Sequence, residues 1–136
     1  MAKILVIEDN PANVKLAVFL LEKAGHEVLT AEDAAEGIEL SKRHLLDLVL
    51  MDIQLPGMDG LAATRALKSD PATRAIKVVA LTAFAMKGDE AKMLAAGCDG
   101  YIAKPFQYRE FLDRVEAILK RMPGDGSSRS PRNGNG

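Results

Sequence analysis

Apolar residues arrive along this chain in short bursts separated by stretches of helical period. Lys3–Glu8, Leu48–Asp52 and Lys77–Thr82 are nearly continuous apolar runs, the pattern of strands covered on both faces. Glu27–Ala31 and Gly100–Ala103 are shorter or more polar runs of the same kind. The intervening segments carry helix punctuation. Asn10 is placed to cap and Pro11 to occupy a first turn, Asp33 with Glu36 imitates a capping box, and Gly25 and Gly97 stand where helices should stop. After the last strand, Phe111, Leu112, Val115, Ile118, Leu119 and Met122 recur on one side of a helix, as packing against a sheet requires.

Five strand and helix units in strict alternation predict an α/β fold. With right-handed crossovers and the three most apolar strands at the centre, the expected architecture is a flavodoxin-like, doubly wound, five-stranded parallel sheet in the order 2-1-3-4-5 with five helices. A length of 136 residues suits one domain. Residues 1–122 are expected to form it. From Pro123 the sequence PGDGSSRSPRNGNG has no large apolar side chain, so 123–136 is expected to be a disordered polar tail.

Composition narrows the partners. The chain is 48% apolar with a formal net charge of -1, which gives no electrostatic reason to expect nucleic acid or an anionic membrane surface. The start has no signal-peptide pattern, and no apolar run approaches the roughly 18 residues needed to cross a bilayer, so a soluble cytoplasmic protein is expected. Cys98 is the single cysteine, able to form neither an internal disulfide nor a zinc site, and reads as a buried inert thiol.

Ligands of doubly wound sheets sit beyond the carboxyl ends of the strands where the winding reverses, here between the first and third strands. Polar residues accumulate at that rim: Glu8 and Asp9, then Asp52, Thr82 and Lys104. One Asp after an apolar strand is an ordinary turn residue. Four strands delivering polar groups to one edge form a pattern. Gathered carboxylates raise one another's pKa unless a hard divalent cation that prefers oxygen sits among them. Magnesium is the natural candidate, with Asp9 and Asp52 as direct ligands, Glu8 acting through water and a main-chain carbonyl near Gln54 completing the shell. Asp52, already ionised, is also suited to attack a phosphoryl group whose oxygens meet the Lys104 ammonium and the Thr82 hydroxyl.

The strings ED at 8 and 9, MDIQLPGMDG at 51–60, ALTA at 80–83 and YIAKPF at 101–106 resemble the receiver domain of two-component response regulators across nearly all of residues 3–122. The resemblance implies that Asp52 is the phosphoacceptor, Glu8 and Asp9 the acidic magnesium pocket, Thr82 and Tyr101 the switch residues, and Lys104 the phosphate-contacting lysine. It also implies a cis Lys104–Pro105 bond. On phosphorylation Thr82 is expected to move towards the phosphoryl group and Tyr101 to swing into the vacated space. That would alter a partner-binding face of the fourth helix, fifth strand and fifth helix, where Met86, Tyr101, Phe106 and Tyr108 lie, with core or half-buried packing the alternative for Met86 and Phe106. The implied donor is a sensor histidine kinase or a histidine phosphotransfer protein. His26 and His44 are expected as solvated loop residues at the opposite edge. Gln54 and Phe84 are expected to flank the entrance to the phosphoryl group. The polar ending resembles stand-alone regulators of the CheY-like and DivK-like type, acting as monomers or weak dimers.

Three other readings compete. A magnesium phosphohydrolase with an aspartate nucleophile would want a second Asp two positions later, where this chain has Gln54. A flavin-binding module would want Gly, Ser or Thr after the first strand, where this chain is acidic; Walker A and GxGxxG patterns are absent. An interaction domain that never accepts phosphate would not need the complete pocket.

Overall fold

The computed structural model describes residues 2–55, 57, 59–83, 87–105 and 107–120, without the side chains of 87–89. Phe84, Met86, Phe106, Met122 and the segment 123–136 lie outside the described residues. Strands β1 (Lys3–Ile7), β2 (Glu27–Ala31), β3 (Leu48–Asp52), β4 (Lys77–Thr82) and β5 (Gly100–Ala103) alternate with helices α1 (Pro11–Lys23), α2 (Ala34–Arg43), α3 (Gly60–Ser69), α4 (Lys87–Ala96) and α5 (Tyr108–Leu119). The strands pair in parallel in the order β2-β1-β3-β4-β5. The flavodoxin-like topology expected from the alternation is therefore present.

The apolar runs are continuous because each central strand feeds two cores. Ile4 and Val6 of β1, Leu48 and Leu50 of β3, and Val79 and Leu81 of β4 pack with Leu20 and Leu21 of α1 and with Phe111, Val115 and Ile118 of α5. The alternate residues Leu5, Ile7, Val49, Met51, Val78 and Ala80 face the other way, against Ala34, Ala63, Leu67 and Met93 of α2, α3 and α4. Cys98 lies buried in this second core, and burial pushes its thiol pKa up. It is an inert packing residue, as expected.

The helix ends follow local chemistry. The Asn10 side chain accepts from the backbone N–H groups of Ala12 at 2.9 Å and Asn13 at 3.2 Å, and Pro11 opens α1. Asp33 accepts from Glu36 N at 2.8 Å, but Glu36 reaches back to Glu32 N at 3.1 Å, one residue before the cap, so the box is offset. Gly25 and Gly97 follow α1 and α4 with φ of 96° and 104°. The Lys104–Pro105 bond is cis. Among the described residues no helix is long and apolar enough to cross a membrane.

The two histidines do lie away from the carboxyl rim, lining a groove with Asp47, Lys77 and Glu116. His26, however, is not solvated: it is buried, with Nδ1 accepting from Ala2 N at 3.0 Å and Nε2 2.6 Å from Glu116 Oε2. Its partners come from the chain start and from α5. Sequence neighbours carry no sign of either.

Candidate functional site

Parallel strands end at a common edge, and here the registers bring four of them to one rim. Glu8 follows β1, with its N–H donating to Ala31 O at 3.0 Å. Asp52 closes β3 opposite Leu81, and Thr82 closes β4 opposite Ala103. Lys104 follows β5, with its N–H donating to Thr82 O at 2.8 Å. Backbone hydrogen bonding thus fixes the stems of the polar side chains before those side chains make any contact of their own.

Glu8, Asp9 and Asp52 each place a carboxylate oxygen within 4.8 Å of the others. Glu8 and Asp52 are 1% and 3% exposed, whereas Asp9 is open to solvent. Lys104 Nζ lies 2.8 Å from Glu8 Oε1 and 3.3 Å from Asp52 Oδ2, joining the two buried acids. Glu8 also accepts from Asn10 N at 3.2 Å and from Asn13 Nδ2 at 3.4 Å. Burial pushes the Glu8 carboxyl above the usual glutamate range, Lys104 opposes that rise, and the neighbouring Asp52 adds to it. Loss of water therefore outweighs the mutual repulsion stressed by the sequence reading.

Gln54 donates its backbone N–H to Asp52 Oδ1 at 2.9 Å. One oxygen of Asp52 is thus held by the following loop and the other faces Lys104, so the two have distinct surroundings. The loop is positioned by Gly60 at the start of α3: a Cβ built there would collide with the Asp52 carbonyl oxygen and lie 2.5 Å from Ile53 Cα. The structural role of this glycine is close approach. Asp59, capping α3 through Ala62 N at 2.8 Å, was not singled out, although Asp before a helix is a legible cap signal.

Thr82 is fully buried at the end of β4. Tyr101, one strand over, is half-buried. Its ring lies beneath the Arg114 guanidinium at 5.3 Å, and Arg114 Nη1 donates to its carbonyl oxygen at 2.9 Å. The Glu90 carboxylate of α4 pushes its phenol pKa above the usual range. Neither Glu90 nor Asn13 was anticipated, since each is an unremarkable polar residue on a helix until the fold supplies its partner.

Residues 4–116 match the family model described as the response regulator receiver domain. This chain belongs to the response regulator receiver domain family. The receiver is 42% identical over 116 residues to the polar-differentiation response regulator DivK of Brucella anthropi, covering 85% of this chain and 94% of that one. It is similar to the crystal structure of the receiver domain of sensor histidine kinase PA1611 from Pseudomonas aeruginosa, which is described with a magnesium ion coordinated in its active site cleft. That likeness has a TM-score of 0.80 and 34% identity, over 87% of this chain and 97% of the other. A putative response regulator from Chloroflexus aurantiacus superposes with a TM-score of 0.84 at 29% identity, over 88% and 98% of the two chains. The receiver is accordingly a two-component signalling switch of the CheY-like and DivK-like kind, and nothing in these likenesses favours the phosphohydrolase.

Proposed function

We propose that Asp52 is the residue of this receiver that accepts the phosphoryl group, from a phosphohistidine on a sensor kinase or histidine phosphotransfer protein. The supporting observation is the gathering of Glu8, Asp9 and Asp52 around Lys104 at the carboxyl edge of one parallel sheet. Gln54 N–H holds Oδ1, leaving Oδ2 as the attacking oxygen. Its electron pair forms the O–P bond while the P–N bond of the donor breaks and the electrons of that bond return to the imidazole. Asp52 needs no base, because a carboxylate has no proton to lose. Lys104 then exchanges a carboxylate partner for a phosphoryl oxygen, and Thr82 donates its hydroxyl to another.

The acidic cluster fits magnesium: three carboxylates offer hard oxygen donors, and the exposed Asp9 leaves a solvent approach. Asp9 and Asp52 would bind directly, Glu8 through water, and the Gln54 main-chain carbonyl would complete the protein's share. When bound, the ion neutralises charge on the phosphoryl oxygens. Lys104, bridging the two buried acids, already offsets part of their charge, and the ion would complete that balance.

Thr82 and Tyr101 are the switch residues, and the face of α4, β5 and α5 is read by a downstream protein. The receiver acts in the cytoplasm as a monomer or weak dimer, with 1–122 as its domain and 123–136 as a polar segment. Its chemistry is limited to its own phosphorylation and slow dephosphorylation. Gln54, where a phosphohydrolase would carry an acid, cannot protonate a leaving group.

Intact-mass measurement after incubation with acetyl phosphate and magnesium tests this assignment. The wild type should gain the mass of one labile phosphoryl group and Asp52→Ala should gain none. An equal gain in both, or sustained hydrolysis of the small donor without an adduct, would overturn it.

A further inference from the structure

Glu8 is held by donors from two directions, and those on one side come from a single helix turn. Asn10 N–H meets Oε2 at 3.2 Å, and three residues on, the half-buried Asn13 donates through Nδ2 to Oε1 at 3.4 Å. That turn is itself fixed. The Asn10 side chain accepts from Ala12 N at 2.9 Å and Asn13 N at 3.2 Å, and Val14 N donates to Asn10 O at 3.0 Å. The opening of α1 therefore takes both carboxylate oxygens and sets the plane in which they lie. From the other side Lys104 Nζ shares Oε1 at 2.8 Å while also reaching Asp52 Oδ2 at 3.3 Å. Glu8 is 1% exposed, so water has little access to replace a donor that is lost.

We propose that Asn13 is a positioning residue that keeps the Glu8 carboxylate turned into the acidic pocket and so strengthens the pocket's hold on magnesium. The inference rests on the reading of Glu8, Asp9 and Asp52 as the magnesium pocket, and it adds to that pocket a residue of α1 that is not an acid. An uncharged amide suits the place. It satisfies a lone pair of Glu8 without cancelling its charge, which stays available to the ion, whereas a Lys or Arg there would neutralise it and compete. The donor also has a second use. When Lys104 exchanges a carboxylate partner for a phosphoryl oxygen, Asn13 stays on Oε1 and Glu8 keeps its aim. Outer donors of this kind commonly contribute about 10- to 100-fold to metal affinity. Here Glu8 has two further donors and the Asn13 bond is long, so a factor of about 3 to 10 is expected.

The test compares the full chain with Asn13→Leu and Asn13→Ala. Both lack the donor, Leu with nearly the shape of Asn and Ala without it, and both are better helix formers than Asn. Urea midpoints in EDTA report what each change does to the fold. The rise of the midpoint with magnesium concentration gives the dissociation constant, because the unfolded chain has no assembled pocket. In both variants magnesium should bind about 3- to 10-fold more weakly than in the wild type. A residue that served only α1 or its packing would move the midpoint in EDTA and leave the magnesium constant where it was. A constant within about twofold of the wild type's in either variant overturns the proposal, since weakening confined to one of them would follow size and not the lost donor. A wild type whose midpoint does not rise with magnesium is a different failure: it overturns the magnesium pocket, and this inference with it.

Discussion

A carboxylate at the end of a central strand loses its water whether or not a cation is waiting for it, and Glu8 is 1% exposed. Lys104 at 2.8 Å offsets part of that loss, yet burial remains the larger influence and the Glu8 pKa stays raised above the usual 4.5. The sign of the consequence is fixed. Just above pH 4.5 the folded protein holds a proton on Glu8 that the unfolded chain has released, so the folded state binds more protons and this contribution to stability declines as pH rises through the folded pKa. In EDTA, the urea midpoint of the wild type should therefore fall relative to that of Glu8→Gln as pH rises from about 4.5. A difference curve that is flat or rises would show that Lys104, and not burial, governs Glu8. The presence of Glu8 at the rim was legible from an acid following an apolar strand. Its depth and its bonds to Asn13 and Lys104 were not, because they depend on the approach of α1 and β5.

At the level of elements, the loop from β3 to α3 presents Asp52, and two of its glycines do different work. Gly57 has φ of 84° and open space around its Cβ position, so Gly57→Ala costs only local backbone strain. At Gly60 an added methyl would meet the Asp52 carbonyl and Ile53 Cα, main-chain atoms that cannot move without moving Asp52. Gly57→Ala should lower unfolding free energy by about 1 kcal/mol and leave acetyl phosphate labelling unchanged. Gly60→Ala should cost about 1–3 kcal/mol and also slow labelling. Equal labelling rates in the two variants would separate α3 from the positioning of Asp52. Strand boundaries came readily from the sequence, since a strand buried on both faces must be apolar at every position. β1 proved one residue shorter than expected, because Glu8 is rim and not strand. What the sequence hid were contacts between neighbours in space alone: Arg114 with Tyr101, His26 with Glu116, and Gly60 with the β3 end. Side chains of this kind sit outside any apolar period, so no periodicity marks them.

For the molecule as a whole, the site exists only when the sheet is closed. Asp9 lies in the loop after β1 and Asp52 ends β3, and the pairing of β1 with β3, Ile7 opposite Met51, is what places them together. The unfolded chain has no such cluster, so an ion that binds here binds the native state and must stabilise it by mass action. With magnesium at ~10 mM and a dissociation constant on the order of 1 mM, the gain should be about 1.4 kcal/mol. It should appear in urea unfolding as a higher midpoint at constant slope, because the surface exposed on unfolding is unchanged. Asp9→Asn should behave in two ways at once. Without magnesium it should be more stable than the wild type, since it removes a charge from a cluster of three acids and one ammonium, and with magnesium most of the gain should be lost. Those opposite effects come from one property, the assembly by the fold of more negative charge than Lys104 can neutralise. An Asp9→Asn protein that is less stable in EDTA, yet still gains the full stabilisation from magnesium, would mean that the acids are held together by hydrogen bonding and that the ion binds elsewhere.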